Sequence, residues 1–580
     1  MGFLGVAQSL TKRCWVGQDS LTERTAEAMA QKNDLPPSLC KVMARLGVNP
    51  EYAKQYLDPQ LRTLLPDPRS LTDMTNASAR LLKAIDKSEK IAVFADYDVD
   101  GAACAALLLT WIDYFGGSTT LYVPDRINEG YGPSDKAMVA LAKDHDLIIC
   151  VDCGTLSHAP IAMAKAADVI VLDHHLGDET VPNCVAVVNP NRQDETSDLG
   201  YLCAAGVVFL CLVECGRLLR KAGRKEPNLM GYLDLVALAT VADVAPLIGV
   251  NRAFVRQGLK VMATRSRPGL VALADQVKME SAPSAYHLGF LLGPRINAGG
   301  RVGQADLGAR LLTTKNIQEA KKLAEHLDQL NAERRQIEGS VLAEAFTQAQ
   351  ERGFDNPLVW AAGMNWHPGV LGIVAARLKE ATNRPAIVIS LDGTEGKGSG
   401  RSVTGIDLGA AIQKLAQQGI LLKGGGHKMA AGLTVSQHML DPVMEKLAEM
   451  LKKQGADKLG ISDLRLDSVL MPAAATIDLI SQLENAGPFG AGAPAPRFAF
   501  PDMAISFAKR VGENHLKIRF GDGLGTSIDG ISFGAFDTAL GPALEQHDGR
   551  RFHLAGQLEI NEWRGKRSVQ LRLEDAALTI

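Results

Sequence analysis

Hydrophobic and polar positions fall into four regimes along the chain. Residues 1–75 show helix-spaced apolar positions broken at Pro36-Pro37 and Pro66-Asp-Pro68, which predicts a helical preface. From about residue 77 the pattern alternates. Helical spacing over 77–88 leads to an apolar run at 91–95, followed by helical spacing over 102–115 and a strand-like run at 119–123. Helical spacing over 134–144 then precedes strand-like runs at 147–151 and 169–172. Strands spaced by helices predict a mostly parallel α/β sheet. After Asn189-Pro190 the pattern turns helical and includes 233–242, closed by Asp243 and Pro246. Residues 317–352 form one long polar–apolar pattern without proline and with a single glycine, Gly339. As a helix this stretch would span roughly 50 Å and connect two lobes.

A second α/β pattern starts at Leu358-Val-Trp360 and continues through Ile387-Val-Ile389. It reaches a glycine-rich region at 393–400 and a glycine-rich turn at Lys423-Gly-Gly-Gly-His427. From about residue 461 helices fade into short alternating runs at 516–520, 552–560 and 569–573, which predicts a small terminal β-barrel. The expected fold class is therefore α/β: two α/β lobes joined by a long helix, plus a C-terminal barrel.

Composition narrows the picture modestly. At 580 residues the chain is too long for one core, and three or four domains are expected. With 46% hydrophobic and 22% charged residues it reads as globular rather than extensively disordered. A net charge of −3 gives no global signature of nucleic-acid binding, so any basic groove must be local. The longest apolar stretch, 199–213, contains two glycines and is too short for a typical membrane span. The N-terminus lacks a positive region followed by a long apolar one, which argues against a secretory signal. The expectation is a cytoplasmic protein without a membrane anchor. All nine cysteines precede residue 216, and the Cys150–Cys153 pair has no second pair at zinc-ribbon spacing. Free thiols in a reducing compartment are the better reading.

The candidate chemistry sits at strand ends. The run at 91–95 ends in Asp96-Tyr-Asp98-Val-Asp100-Gly101, the run at 147–151 in Asp152-Cys-Gly154, and the run at 169–172 in Asp173-His174-His175. Parallel sheets bind ligands at the carboxyl ends of their strands. Carboxylates two apart on an extended segment share a face, so Asp96, Asp98 and Asp100 would converge if the backbone stayed extended through Gly101. Converging anions are costly without a cation. Oxygen ligands suit Mg²⁺ or Mn²⁺, and imidazole shifts the preference toward Mn²⁺. Two such ions, roughly 3.5–4 Å apart, would activate water and stabilise a leaving oxygen. A further ligand must come from elsewhere, with Asp234 and Asp243 as candidates. For a single Asp-Gly the plainer reading, a turn or a helix N-cap before Ala102, would win.

The segment 95–101, the Asp-Cys-Gly and the Asp-His-His together resemble the DHH phosphoesterase superfamily. Pro124-Asp-Arg126-Ile-Asn-Glu-Gly-Tyr131-Gly132 narrows the resemblance to the RecJ family of 5′→3′ single-strand-specific DNA exonucleases. Gly293-Pro-Arg295-Ile-Asn297-Ala-Gly-Gly-Arg301 and the segment from His367 to Arg377 match further motifs of that family. Ser399-Gly-Arg401-Ser and Gly424-Gly-Gly426-His427-Lys-Met-Ala-Ala-Gly432 match its second domain. Ala95 and Gly299-Gly300 depart from the commoner residues, small for small.

The resemblance covers about 77–578 and implies a DHH domain at 76–315, a connecting helix at 316–352, a DHH-associated domain at 353–458 and an OB-like barrel at 459–580, whereas the helical N-terminal region expected at 1–75 carries no motif of the family. It implies Asp96, Asp98, Asp152, His174 and Asp243 as ligands of two ions, Mn²⁺ or Mg²⁺, which favours Asp243 over Asp234. Asp98, Asp152, His174 and His175 would be catalytic, and Asp100 would shape the loop. Arg126, Arg301, Ser399 and Arg401 would hold phosphates, including the 5′ end. Guanidinium forks and hydroxyls fit phosphate oxygens in fixed geometry. Tyr131, Arg295, Asn297, His367, Gly426 and His427 complete the expected substrate contacts. Tyr131, Trp366 and His367 are candidates for base stacking, and Arg510, Lys517, Arg519, Arg564, Lys566 and Arg567 for contacts on the barrel.

Single-stranded DNA is the implied partner, with a single-strand-binding protein and a helicase as candidate protein partners and a monomer as the expected state. One rival is a phosphodiesterase of short oligonucleotides or cyclic dinucleotides, which needs neither connector nor barrel. Another is an inactive scaffold, which would have lost ligands that are all present here.

Overall fold

The computed structural model of the chain describes residues 2–126, 129–460, 463–563 and 565–579. They form two compact units, Leu65–Gly460 and the combination of Met1–Leu64 with Ile461–Ile580. Among the described residues no helix is long and apolar enough to cross a membrane.

The larger unit begins with a parallel sheet of five strands. In spatial order these are Thr119–Tyr122, Ile91–Ala95, Leu147–Val151, Asp168–Leu172 and Ala186–Val188. Strands Ile91–Ala95 and Leu147–Val151 are buried throughout. Burial on both faces explains why the sequence shows continuous apolar runs there rather than alternation. The short strand Ala186–Val188 lies just before Asn189-Pro190, where the sequence indicated only a change of pattern. The order of the strands reverses between Ile91–Ala95 and Leu147–Val151, the kind of switch point at which such sheets open a crevice. Ala95 pairs with Val151 and Val151 with Leu172. The next residue on each strand is Asp96, Asp152 and Asp173, so the register itself sets three aspartates side by side.

The connector is a single helix, Ile317–Arg352, of 36 residues, started by the Asn316 side chain accepting from the Gln318 and Glu319 amides. Leu323, Leu327 and Leu330 are buried along its first half. Val341, Ala345 and Ala349 on its second half join the core of the following lobe.

That lobe carries a second five-stranded sheet, in the order Lys423–His427, Ala430–Ser436, Glu395–Arg401, Ala386–Leu391 and Val359–Met364. The last two strands are parallel and the others antiparallel. The glycine-rich stretches expected as loop and turn are strands. A Cβ on Gly396, Gly398 or Gly400 would press on Ile389, on Leu433 and Ile389, or on Leu408. Glycine at alternate positions lets the strand lie close on that core, while Lys397, Ser399 and Arg401 take the other face.

The smaller unit is a closed barrel of five strands, Phe498–Val511, His515–Gly521, Ser527–Ser532, Lys566–Leu578 and Arg551–Trp563, with Ser468–Val469 added beside the first. Its interior holds Phe498, Phe500, Phe520 and Phe552. Residues up to Leu64 were expected as a region of their own; instead they complete this unit. Met29, Leu39, Val42 and Met43 share the barrel core. Trp15–Val16 pairs in parallel with Leu464–Arg465. The buried Trp15 donates its Nε1 to Asp575 at 2.8 Å, and Arg45 pairs with Asp467 at 2.5 Å. Amphipathic helices at Ser20–Asn33 and Pro37–Arg45 have no core of their own, and the barrel supplies it.

Candidate metal centre and phosphate pocket

Asp96 and Asp98 follow the strand Ile91–Ala95, and the chain turns helical at once. The helix Val99–Tyr114 begins with Asp98 as its N-cap, Oδ1 accepting from the Asp100 and Gly101 amides at 2.9 and 3.2 Å. The extended backbone expected through Gly101 is therefore absent. Gly101 is required because a Cβ there would stand 2.3 Å from the Asp96 carbonyl oxygen. The early helix turns Asp100 away from a shared row. Its carboxylate instead accepts from the amides of Ala204 and Ala205 at 2.7 and 2.8 Å, capping the helix Ala204–Lys221.

Asp152 ends its strand at φ 59°, a left-handed conformation. Non-glycine residues held there mark sites where surrounding contacts over-determine the backbone. His174 Nε2 lies 3.3 Å from Asp152 Oδ1 and 3.8 Å from both Asp100 Oδ2 and Asp243 Oδ2. Asp243 arrives as the C-cap of the helix Leu233–Ala242. Asp234, at the other end of that helix, is a buried partner of Arg267 at 2.7 and 3.0 Å and takes no part.

Three overlapping sets of side chains could each hold a cation: Asp152 with His174 and His175, Asp100 with His174 and Asp243, and Asp96 with Asp98 and Asp152. Within each set the ligand atoms lie within 4.8 Å of one another. Oδ1 of Asp96 and Oδ1 of Asp152 are buried and accept no hydrogen bond. Orphaned carboxylate oxygens converging on a polar centre fit hard divalent cations. Burial, then the Asp98 charge, pushes Asp96 well above the usual carboxylate range, and burial followed by Asp100 does the same for Asp152. Burial with Asp100 and Asp98 raises Asp243 to about 9.

His175 is held from behind. Its Nδ1 lies 2.8 Å from Asp173 Oδ1, whose carboxylate also accepts from the His174 and His175 amides and from Thr155. Burial works against a charge on His175, but the Asp173 hydrogen bond and charge raise it to about 9. Asn189 Nδ2 donates to the His175 carbonyl at 2.7 Å and Asn191 Nδ2 to the His174 carbonyl at 2.6 Å. Thr155, Asn189 and Asn191 escaped the sequence reading, although two amides flanking a proline directly after an apolar run were a visible signal. The Cys150 and Cys153 side chains lie in an apolar cluster behind this sheet.

A second constellation is cationic. The Arg126 guanidinium sits over the Tyr97 ring at 5.1 Å. Arg301 Nη1 donates to the Gly369 carbonyl at 3.0 Å. Gly369 follows His367, the N-cap of the helix Pro368–Thr382, whose Nδ1 accepts from the Gly369 amide at 3.1 Å. Ser399 and Arg401 lie against the same helix, since a Cβ on Gly372 would stand 2.7 Å from Arg401 Nη2 and 3.1 Å from Ser399 Oγ. Burial, then the Arg126 charge, lowers Arg301 to about 10 and also depresses Arg401. Crowded guanidiniums beside a helix N-terminus favour an anion.

The remaining expected contacts divide. His427 shares the sheet face of Arg401: Arg401 is in register with Ala430 and Ala430 with His427, two strand spacings or about 10 Å away. Gly426, at φ 142°, leaves no room for a Cβ beside Ala431. Asn297 Oδ1 accepts from the Val99 amide at 3.0 Å, bracing the loop that carries Asp98. Arg295 is engaged elsewhere, on Asp328 of the connector at 2.8 Å and on the Leu291 carbonyl. Trp366 is buried, with Nε1 on Glu344 at 3.0 Å, so it offers no face for stacking.

On the barrel, Lys517 and Arg519 share Asp529, and Arg510 lies over the Phe536 ring at 4.3 Å. Lys566 and Arg567 are exposed on their strand, and Arg564 lies outside the described residues. Phe507 and Phe533, which the sequence did not single out, are exposed on the same unit, with the Phe533 ring edge-on to His515 at 5.2 Å.

Three family models match the chain in order: the DHH family N-terminal domain over 90–240, the DHHA1 domain over 355–454 and the RecJ OB domain over 466–575. A single-stranded-DNA-specific exonuclease RecJ of Dickeya dadantii is 38% identical, over 93% of this chain and 96% of the relative. The chain belongs to the RecJ family. The RecJ of Escherichia coli is 37% identical over 95% of this chain and 97% of its own. The crystal structure of Thermus thermophilus RecJ in complex with Mn²⁺ superposes with a TM-score of 0.79 at 29% identity, covering 95% of this chain and 78% of that one. The same RecJ in complex with Mg²⁺ gives 0.71 at 27% identity, covering 96% and 76%.

Proposed function

We propose that the chain hydrolyses single-stranded DNA from its 5′ end and releases 5′-mononucleotides, with Asp96, Asp98, Asp152, His174 and Asp243 as ligands of two divalent cations. RecJ relatives that span the chain, together with its DHH domain, make it a metal-dependent single-stranded-DNA exonuclease. The observation that carries the site assignment is the pair of orphaned carboxylate oxygens on Asp96 and Asp152, in the same unit as the guanidinium pocket.

Bound divalent cations would lower the pKa of a water, orient it and neutralise charge on the scissile phosphodiester. The protein's own groups do the rest. Arg126, Arg301, Ser399 and Arg401 seat the terminal phosphate and so set polarity, with His427 on the same face. His175, kept protonated near neutral pH by Asp173, offers a donor to the phosphate oxygens. Asn297 fixes the turn that aims Asp98. On the barrel, Phe507 and Phe533 stack bases while exposed Lys and Arg follow the backbone. The reading extends to a monomeric cytoplasmic enzyme of repair and recombination, working with a single-strand-binding protein and a helicase.

Strands labelled at the 5′ or 3′ end, digested with Mn²⁺ or Mg²⁺, test this directly. The 5′ label should leave first, as a mononucleotide. Early loss of the 3′ label would overturn the polarity, and turnover of a dinucleotide alone would overturn the exonuclease reading.

A further inference from the structure

Tyr131 stands on the loop that carries Arg126, and its sequence context suggested a ring that stacks on bases. The structure gives its hydroxyl a separate task. Tyr131 Oη is 2.9 Å from the Asp152 carbonyl oxygen and 2.9 Å from His175 Nδ1, with His175 Nε2 at 3.3 Å. A carbonyl only accepts, so the hydroxyl proton goes to Asp152. The hydroxyl oxygen is then an acceptor facing the imidazole. Asp173 Oδ1, also an acceptor, is 2.8 Å from the same Nδ1. Two acceptors at one nitrogen keep the proton on Nδ1 and fix the plane of the ring.

The Asp152 carbonyl belongs to the residue held at φ 59°, whose carboxylate oxygen is orphaned. One hydroxyl thus braces both the strained strand end and the imidazole beside it. Residue 131 as a whole is 52% exposed, and the rings of Tyr131 and His175 meet edge-on at 5.3 Å. The exposed part is available to substrate while the hydroxyl end is engaged within the site.

We propose that Tyr131 is a positioning residue of the nuclease reaction, acting through its hydroxyl on His175 and the Asp152 backbone rather than only through its ring. Because the same loop bears Arg126, capture of the terminal phosphate and alignment of the metal centre share one segment of chain. The inference rests on the nuclease reading above.

The test compares wild type, Tyr131→Phe, Tyr131→Ala, His175→Ala and the double variant Tyr131→Phe/His175→Ala on a 5′-phosphorylated single strand with Mn²⁺. Phe keeps the ring and removes only the hydroxyl. Tyr131→Phe should lower kcat on the order of 10- to 100-fold, as small misplacements of reacting groups do, with KM and the thermal midpoint unchanged. Tyr131→Ala should raise KM as well. On the His175→Ala background, the Phe change should have at most about a twofold further effect, because the group it positions is gone. Full kcat in Tyr131→Phe, or a loss that is undiminished in the double variant, would overturn the proposal. An inactive wild type would instead overturn the nuclease reading itself.

Discussion

The two sheets of the larger unit carry charge in opposite ways. In the first, acidic groups stand at the ends of buried parallel strands, where the register of Ala95, Val151 and Leu172 lines up the aspartates that follow. In the second, Ser399 and Arg401 stand on the face of a glycine-rich strand, which lies close to its core because its alternate residues lack side chains. The first concentrates anions with orphaned oxygens; the second presents Arg401, which burial and the Arg126 charge depress. Each is electrostatically incomplete, with the opposite sign missing. A phosphodiester with its divalent counter-ions supplies both at once. The lesson is that stability and activity should respond in opposite directions to removing charge from either side.

The largest effect is expected at the acidic side. Asp152→Asn should lower single-strand hydrolysis on the order of 10³-fold. In the metal-free protein the same change should raise the thermal midpoint by about 2 °C or more, since it removes a carboxyl whose ionisation is opposed by burial and by Asp100, Asp98 and Asp96. Asn tolerates the left-handed backbone that Asp152 occupies. A metal-free variant no more stable than wild type would break the comparison.

Next comes the cationic side. Arg401→Ala should reduce kcat/KM on 5′-phosphorylated strands about 10- to 100-fold, the worth of charge-assisted hydrogen bonds. Strands ending in a 5′-hydroxyl should lose much less. Calorimetric titration of Mn²⁺ should show no change, which separates this pocket from the metal centre.

The pH dependence of metal binding is a third test. Asp243 titrates near 3.9 when unfolded and at about 9 in the metal-free fold. Its raised value contributes stability below the unfolded pKa that is lost as pH climbs toward 9. His175, raised from about 6.5 to about 9, likewise contributes stability that is lost as pH rises through its folded value. Metal-free stability should therefore fall between about pH 6 and 9. Binding a cation releases protons, so the rise in thermal midpoint on adding Mn²⁺ should be greater at pH 8.5 than at pH 6. An equal rise at both would contradict shared titration at the centre.

The smallest effect concerns the glycine-lined strand. Gly400→Ala places a Cβ 2.7 Å from Leu408 and should cost about 1–3 kcal/mol by chemical denaturation, with Mn²⁺ affinity intact.

Much of the acidic cluster was legible because parallel strands write themselves as apolar runs and their register brings the aspartates at their ends together. The alternation of strands and helices along the chain and the 36-residue connector followed the same periodicities. What stayed hidden depended on partners far along the chain. Asp100 looks like Asp96 and Asp98 in sequence, yet the helix begins at Val99 and gives it to the amides of residues 204 and 205. Arg295 sits in the same motif as Arg301, but the connector provides Asp328 for it. The glycine runs read as turns because a glycine's neighbours, rather than glycine itself, decide between a turn and a close-packed strand. The first 64 residues showed amphipathic stripes without saying whose core they cover.

That last arrangement has a consequence during synthesis. Trp15 pairs with Leu464 and hydrogen-bonds Asp575, so the first strand of the chain waits for nearly the last. At about 5–20 residues per second, the helices that follow Trp15 wait roughly 25–110 seconds before the last strand of the barrel that buries them has been made. The larger unit is made in that interval and can fold first. The segment around Trp15 is thus made well before the barrel it packs on and is among the latest to settle.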